Sequence, residues 1–167
     1  MHETEAKAKI ETHERLEEKL KEMGFEYIGE TNEHNSMYDI CGFLKRHDRA
    51  LRMRKDETGC CITYKGKQED SSYKHRREIE FGIPLFLYSA LYAIIPNSLK
   101  YEKKRLTYQR DKCKVCLDDV KKLGKFVEIE GQEEEIKLII EQLGIKETTK
   151  ESYPQMIARL GHQPDKE

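Results

Sequence analysis

The sequence predicts an α+β fold: a closed eight-stranded antiparallel β-barrel, a tunnel, with helices packed on its outside. Three observations carry this expectation. Eight segments alternate in chemistry with a period of two, the repeat of a strand. Few helices interrupt them, so consecutive strands are joined by turns and pair antiparallel. In strand after strand, one face is charged and the other apolar. About eight such strands close around a lumen wide enough for one small ligand. The apolar face needs helices over it more than the charged face does, so the charged face is expected to line the lumen.

The elements follow in order. His2 to Ile10 alternates and reads as the first strand. Thr12 to Met23 reads as a helix, with Thr12 as N-cap, Leu16, Leu20 and Met23 as one apolar stripe, and Gly24 just past its end. Phe25 to Glu33 alternates again. Ala50 to Lys55, Cys60 to Lys67, Tyr73 to Gly82, Tyr101 to Gln109, Lys114 to Leu117 and Phe126 to Glu130 read as the remaining strands. Pro84 opens a helix that ends before Pro96, its residues Tyr88, Leu91, Tyr92 and Ile95 reading as sheet-covering core. Glu133 to Leu143 forms a helix stopped by Gly144, and Pro154 to Leu160 a short final one.

Composition narrows the class. The chain has 167 residues, the size of one domain spanning 1–167. Charged residues are 38 % of it, yet 31 bases against 32 acids leave a net charge of −1. That balance disfavours both a basic nucleic-acid binder and an acidic tail protein. The longest apolar stretch, Ile83 to Ile95, is too short to span a bilayer, so no membrane partner is expected. The charged N-terminus has no secretory h-region, and five cysteines are an odd number. A reducing, cytoplasmic location fits both.

The charged faces hold acids and bases in equal measure: Glu3, Glu5, Glu78, Glu80, Asp118, Glu128 and Glu130 against Lys7, Arg52, Arg54, Lys65, Arg76, Lys103 and Arg105. A lumen lined this way is costly unless its charges are paired or occupied. Carboxylates suit hard cations such as Mg²⁺ or Mn²⁺. Facing Arg and Lys suit phosphate oxygens. Together they describe a polyphosphate held jointly by bases and a cation.

These segments resemble the CYTH family, the triphosphate tunnel metalloenzymes, which includes class IV adenylate cyclases and thiamine triphosphatases. The E-x-E-x-K signature stands as Glu3-Thr4-Glu5-Ala6-Lys7. ALRMR (Ala50–Arg54), ITYKG (Ile62–Gly66), RREIE (Arg76–Glu80), KKR (Lys103–Arg105), VCLDDV (Val115–Val120), LGKFVEIE (Leu123–Glu130) and SYPQMI (Ser152–Ile157) follow in the family's order. The resemblance implies that Glu3, Glu5, Asp118, Glu128 and Glu130 hold divalent metal, with Glu78 and Glu80 as further candidates. It implies that Lys7, Arg52, Arg54, Lys65, Arg76, Lys103 and Arg105 hold a triphosphate (tripolyphosphate, ATP or thiamine triphosphate), with Lys7 also catalytic. The chain would act as a monomer or homodimer. The segment Asn32 to Leu44 offers no assignable adenine pocket, so hydrolysis is the first expectation and cyclisation of ATP the second. A non-catalytic polyphosphate binder is the third.

Plainer readings exist for each motif. Glu3, Glu5 and Lys7 could form a solvated edge strand, and Glu78 and Glu80 could be ion partners of Arg76. Cys113-x-x-Cys116 with Cys60-Cys61 could suggest zinc, but no second CxxC is present, and buried thiols are the expectation.

Overall fold

The computed structural model describes residues 2–161. Eight strands form it: β1 (His2–Lys9), β2 (Glu26–Tyr38), β3 (Ala50–Asp56), β4 (Gly59–Glu69), β5 (Lys74–Ile83), β6 (Leu99–Arg110), β7 (Cys113–Val120) and β8 (Gly124–Glu130). They close in the order β1-β5-β4-β3-β2-β6-β7-β8, with β8 paired back to β1 and every pairing antiparallel. The predicted α+β barrel is therefore the observed fold. Five helices accompany it: α1 (Glu14–Glu22), α2 (Phe43–Arg46), α3 (Leu85–Ile94), α4 (Glu133–Leu143) and α5 (Tyr153–Leu160). Among the described residues no helix is long and apolar enough to cross a membrane.

The largest apolar cluster lies outside the barrel wall. Ala6 and Ala8 of β1, Val115 and Leu117 of β7, and Val127 and Ile129 of β8 face outward. They are covered by Leu16 and Leu20 of α1 and by Ile136, Ile139 and Leu143 of α4. The two alanines leave room for the helices to lie close. The Lys19 ammonium ties α1 to the end of α4, donating to the carbonyls of Gln142 and Leu143 at 3.1 Å each. A cation there also meets the negative end of the helix dipole. A second cluster lies on the inward strand faces, where Tyr153 and Met156 of α5 meet Tyr101, Val120 and Phe126 at one end of the lumen, so α5 does not pack on the outside as expected of the helices. A third places Tyr88 of α3 against Tyr38 and Met53.

Several local expectations are corrected. α1 begins at Glu14 with His13 at the cap position and no side-chain cap bond, so Thr12 is not the cap; Gly24 does follow the helix end with φ +79°. β2 has a register shift between Tyr27 and Gly29, which breaks the expected alternation: Phe25 is buried, whereas Tyr27 and Ile28 are both exposed. The same strand runs on to Tyr38, five residues past its expected end. Beyond it, a short 3₁₀ turn (Ile40–Gly42) and α2 were not expected. Asp39 holds this turn by accepting hydrogen bonds from the Leu44 and Lys45 amides at 2.8 and 3.0 Å. In α3, Tyr92 is 37 % exposed rather than core.

Because the outer clusters carry the apolar burial, cavities there should be costly. Ile136 is fully buried between α4 and the wall. Ile136→Ala should lower unfolding free energy by about 2–5 kcal/mol, read from a urea midpoint shifted at unchanged slope.

Candidate active site in the barrel lumen

Alternation aims one side of every strand inward, and the inward side is the charged one. The lumen and its mouth enclose about 1070 Å³, lined by groups that include Glu3, Glu5, Lys7, Arg52, Arg54, Lys65, Arg76, Glu78, Glu80, Lys103, Arg105, Glu128 and Glu130. Asp118 lies just beneath, fully buried and bonded to the lining. All the residues singled out in the sequence thus converge on one interior.

One wall is a dense ion network. The Arg105 guanidinium grips Asp118 with two hydrogen bonds of 2.7 Å each and also reaches Glu128. Lys103 donates to Asp118 at 3.1 Å. Lys7 lies 2.9 Å from Glu128 and 3.6 Å from Glu5. Burial alone would push Glu128 up, but Lys7, Arg105 and Lys103 outweigh it and hold the carboxyl well below its usual range. Burial would likewise strip Lys7 of its proton; Glu128 and Glu5 prevail, and Lys7 stays an ammonium well past neutral pH.

The opposite wall pairs more loosely. Lys65 meets Glu78 at 2.6 Å and Glu3 at 3.3 Å. Arg52 lies 3.4 Å from Glu80, and Arg54 bonds the other Glu80 oxygen at 3.2 Å. Thr63 donates to Glu80 at 2.6 Å and steadies it. Three guanidinium features stand out. Among the described residues Arg76, only 8 % exposed, has no ion pair, and the buried Nε atoms of Arg52 and Arg54 have no hydrogen-bond partner, although that of Arg54 lies 3.3 Å from Asp56. A buried donor without an acceptor costs free energy that an incoming anion recovers.

Four participants were missed in the sequence. Glu33, on the part of β2 beyond the register shift, is 2 % exposed. Burial raises its pKa, but Lys103, Arg105 and Arg54 win and bring it to about 2. Lys74 shares the inward phase of Arg76 and bonds Glu5. Burial lowers its pKa, Glu5 opposes, and repulsion from Lys7, Arg76 and Lys65 leaves it at about 8. Lys114 faces Glu130 at 3.3 Å. Tyr153 enters from α5, where Ser152 and Gln155 make a capping box that fixes the first turn. Its hydroxyl donates to Asp118 at 2.7 Å, and its ring sits 4.2 Å from the Lys7 ammonium and 5.3 Å from that of Lys103. Strand phase could have found Lys74 and Lys114; nothing local marks Tyr153.

The five carboxylates expected to hold metal fall into two groups. Asp118 and Glu128 are neutralised as above, and Glu5 is held ionised by Lys74 and Lys7 against its burial. Glu3 and Glu130 are not balanced. Burial raises Glu3, its hydrogen bond with Glu78 adds to this, and despite Lys65 the carboxyl sits at about 7. Burial raises Glu130 too, with Glu3 and Glu128 adding to it against Arg105 and Lys114. Among the described residues no three Asp, Glu, His or Cys side chains already converge as a metal cluster. Cys113 and Cys116 point to opposite faces of β7, one into the outer core and the other toward Arg105, and so cannot chelate one ion. Burial drives the Cys116 thiol up to about 12, leaving it protonated.

The CYTH domain family profile matches residues 1–154. This chain is a CYTH protein. A candidate adenylate cyclase of Methanocaldococcus jannaschii is 30 % identical over 138 residues, covering 78 % of this chain and 77 % of the relative. The solved PH1819 protein of Pyrococcus horikoshii superposes with a TM-score of 0.79 at 28 % identity, over 95 % of this chain and 99 % of its own. A Hippeastrum structure, described as a candidate adenylyl cyclase with a dominant triphosphatase activity, shares the fold: TM-score 0.76, 18 % identity, 98 % of this chain and 97 % of that one. In this chain the fold carries the ion network described above in its lumen.

Tyr153 should brace that network. Tyr153→Phe keeps the ring beneath the two lysines and leaves the buried Asp118 short of one donor. Unfolding free energy should fall by roughly 1.5–3 kcal/mol. Tyr153→Leu should cost more, because the ring contacts go as well; denaturant midpoints of the two variants check the order.

Proposed function

We propose that this CYTH chain is a divalent-metal-dependent phosphohydrolase acting on a triphosphate held in the lumen. The observation that carries the reading is the set of cations from β1, β3, β4, β5 and β6 around one cavity, with the Arg76 guanidinium and the Arg52 Nε lacking partners among the described residues. Lys7, Arg52, Arg54, Lys65, Arg76, Lys103 and Arg105 would bind the phosphate oxygens, and Lys74 joins them. Arg forks take paired oxygens, and lysines act as point charges.

The donor chemistry fits Mg²⁺ or Mn²⁺. Glu3 and Glu130 would hold it first, because a cation relieves the burial that disfavours their ionisation. Glu5, Asp118 and Glu128 would join once phosphate competes for their lysines and arginines, with Glu78 and Glu80 left as partners of Lys65, Arg52 and Arg54. Bound there, the metal supplies Lewis-acid stabilisation of charge on the transferring phosphoryl group. Lys7, held as an ammonium, cannot serve as the base; it stabilises the developing negative charge. Water attacks the terminal phosphorus, the bridging P–O bond breaks with its electron pair going to the diphosphate leaving group, the water's proton passes to a phosphate oxygen, and the attacked phosphoryl group is released as orthophosphate.

The name of the Methanocaldococcus relative favours a second reading, attack by the ribose 3′-hydroxyl of ATP to give cAMP and pyrophosphate. One assay separates them. With Mg²⁺ or Mn²⁺, tripolyphosphate and ATP should yield orthophosphate; cAMP from ATP would establish the cyclase instead. Neither product across several metals and pH values would overturn both. Arg76→Ala should lower kcat/KM by about 100-fold in whichever reaction is found.

Binding should also be proton-linked. Lys74 titrates near 8 in the free protein. A polyanion favours its charged form, so affinity for tripolyphosphate should fall as pH rises through 8, and binding at pH 8–9 should take up protons. Calorimetry in buffers of different ionisation enthalpy measures this, and Lys74→Met should remove it.

A further inference from the structure

Arg52, Thr63 and Glu80 stand side by side on β3, β4 and β5, Arg52 paired with Thr63 and Thr63 with Glu80 in register. Neighbouring strands lie about 4.8 Å apart, so Arg52 and Glu80 must reach across the strand between them. Thr63 is fully buried and short enough to let them meet. Its hydroxyl serves both: it donates to Glu80 Oε2 at 2.6 Å and accepts from Arg52 Nη2 at 3.3 Å. Arg52 Nη2 also reaches Glu80 Oε2 at 3.4 Å, and Arg54 Nη2 donates to Glu80 Oε1 at 3.2 Å. One carboxylate thus holds two guanidiniums, and one hydroxyl holds the carboxylate. The Nε atoms of both arginines are buried and, among the described residues, without a hydrogen-bond partner.

We infer that Thr63 is a positioning residue for triphosphate binding: through Glu80 it fixes Arg52 and Arg54 as a pair, with their Nε donors left for phosphate oxygens. The inference rests on the phosphohydrolase reading and adds to it a residue that carries no charge and need not touch the substrate. Chemistry narrows the position to a hydroxyl side chain. The group must donate one hydrogen bond and accept another, and only a hydroxyl does both in so small a volume. β-Branching restricts χ1 of threonine, so the hydroxyl keeps one aim. Valine has nearly the same shape, yet it leaves the Glu80 oxygen one donor short. The Glu80 side chain is 37 % exposed, so once released it turns toward water and the two arginines lose their shared anchor.

Calorimetric titration with tripolyphosphate, with a chelator present so that nothing is hydrolysed, tests it. Thr63→Val should weaken binding by about tenfold, the loss that one hydrogen bond to a charged group brings. Thr63→Ser should restore it to within about threefold of the native chain. Thr63→Ala should repeat the loss without a methyl beside the guanidinium, so the outcome does not hang on one variant folding. Glu80→Ala should weaken binding as well, and Thr63→Val added to it should cost nothing further, because Thr63 acts through Glu80. All titrations run below the unfolding transitions, followed by circular dichroism; a merely structural Thr63 lowers those midpoints and leaves the affinity alone. Native binding that Thr63→Val and Thr63→Ala leave unchanged overturns the inference and leaves the phosphohydrolase reading standing. A loss that Thr63→Ser shares, or one that persists in full beside Glu80→Ala, does the same. A native chain that binds no tripolyphosphate, with or without Mg²⁺, overturns the reading and the inference together.

Discussion

An ionised side chain moved from water into a protein interior costs several kcal/mol unless it meets an opposite charge in good geometry. This barrel buries a whole set of them, and the grip of Arg105 on Asp118 is the centre of the solution. Asp118 is fully buried yet receives Arg105, Lys103 and the Tyr153 hydroxyl. Those partners come from β6 and α5, so one carboxylate on β7 ties the wall to the helix that closes one end. The constraint reaches outward as well. A charged interior cannot supply hydrophobic burial, so the wall must find it on its outer face. That is why α1 and α4 pack against small and branched residues of β1, β7 and β8.

The pairing is uneven, and the unevenness gives the lumen its chemical direction. On the side of β6, β7 and β8 every acid but Glu130 has a strong cation. Toward β1, β4 and β5 the balance fails in both directions. Arg76 has a charge without a counter-ion among the described residues, and burial raises Glu3, as it does Glu130 on neighbouring β8, against ionisation. A ligand bearing anionic phosphates and a hard cation repairs both faults together. A purely structural network would be neutral throughout, because leaving one buried partner unpaired is the expensive state.

Strand phase made most of this legible. E-x-E-x-K, ALRMR and FVEIE each place charge on one face only, and a face so charged has to be inside once the other is seen to need helices. Glu33 was hidden because the register shift at Tyr27 and Gly29 breaks the alternation that would have aimed it inward. Lys74 shares the phase of Arg76 but is the first residue of its strand, next to turn residues. The expectation of buried thiols at Cys113 and Cys116 holds, and the strand gives the reason they are no chelate: three positions apart in β structure means opposite faces.

The period-two pattern, the balanced charge and the order of the motifs determined the barrel, its inverted faces and most of the lining, because these depend only on the alternation of a strand. Tertiary structure alone decided which acid meets which base. It alone brought Tyr153, 35 residues from Asp118, to that carboxylate. Partners in a closed barrel are set by register and strand order, and those couple positions that no local pattern relates.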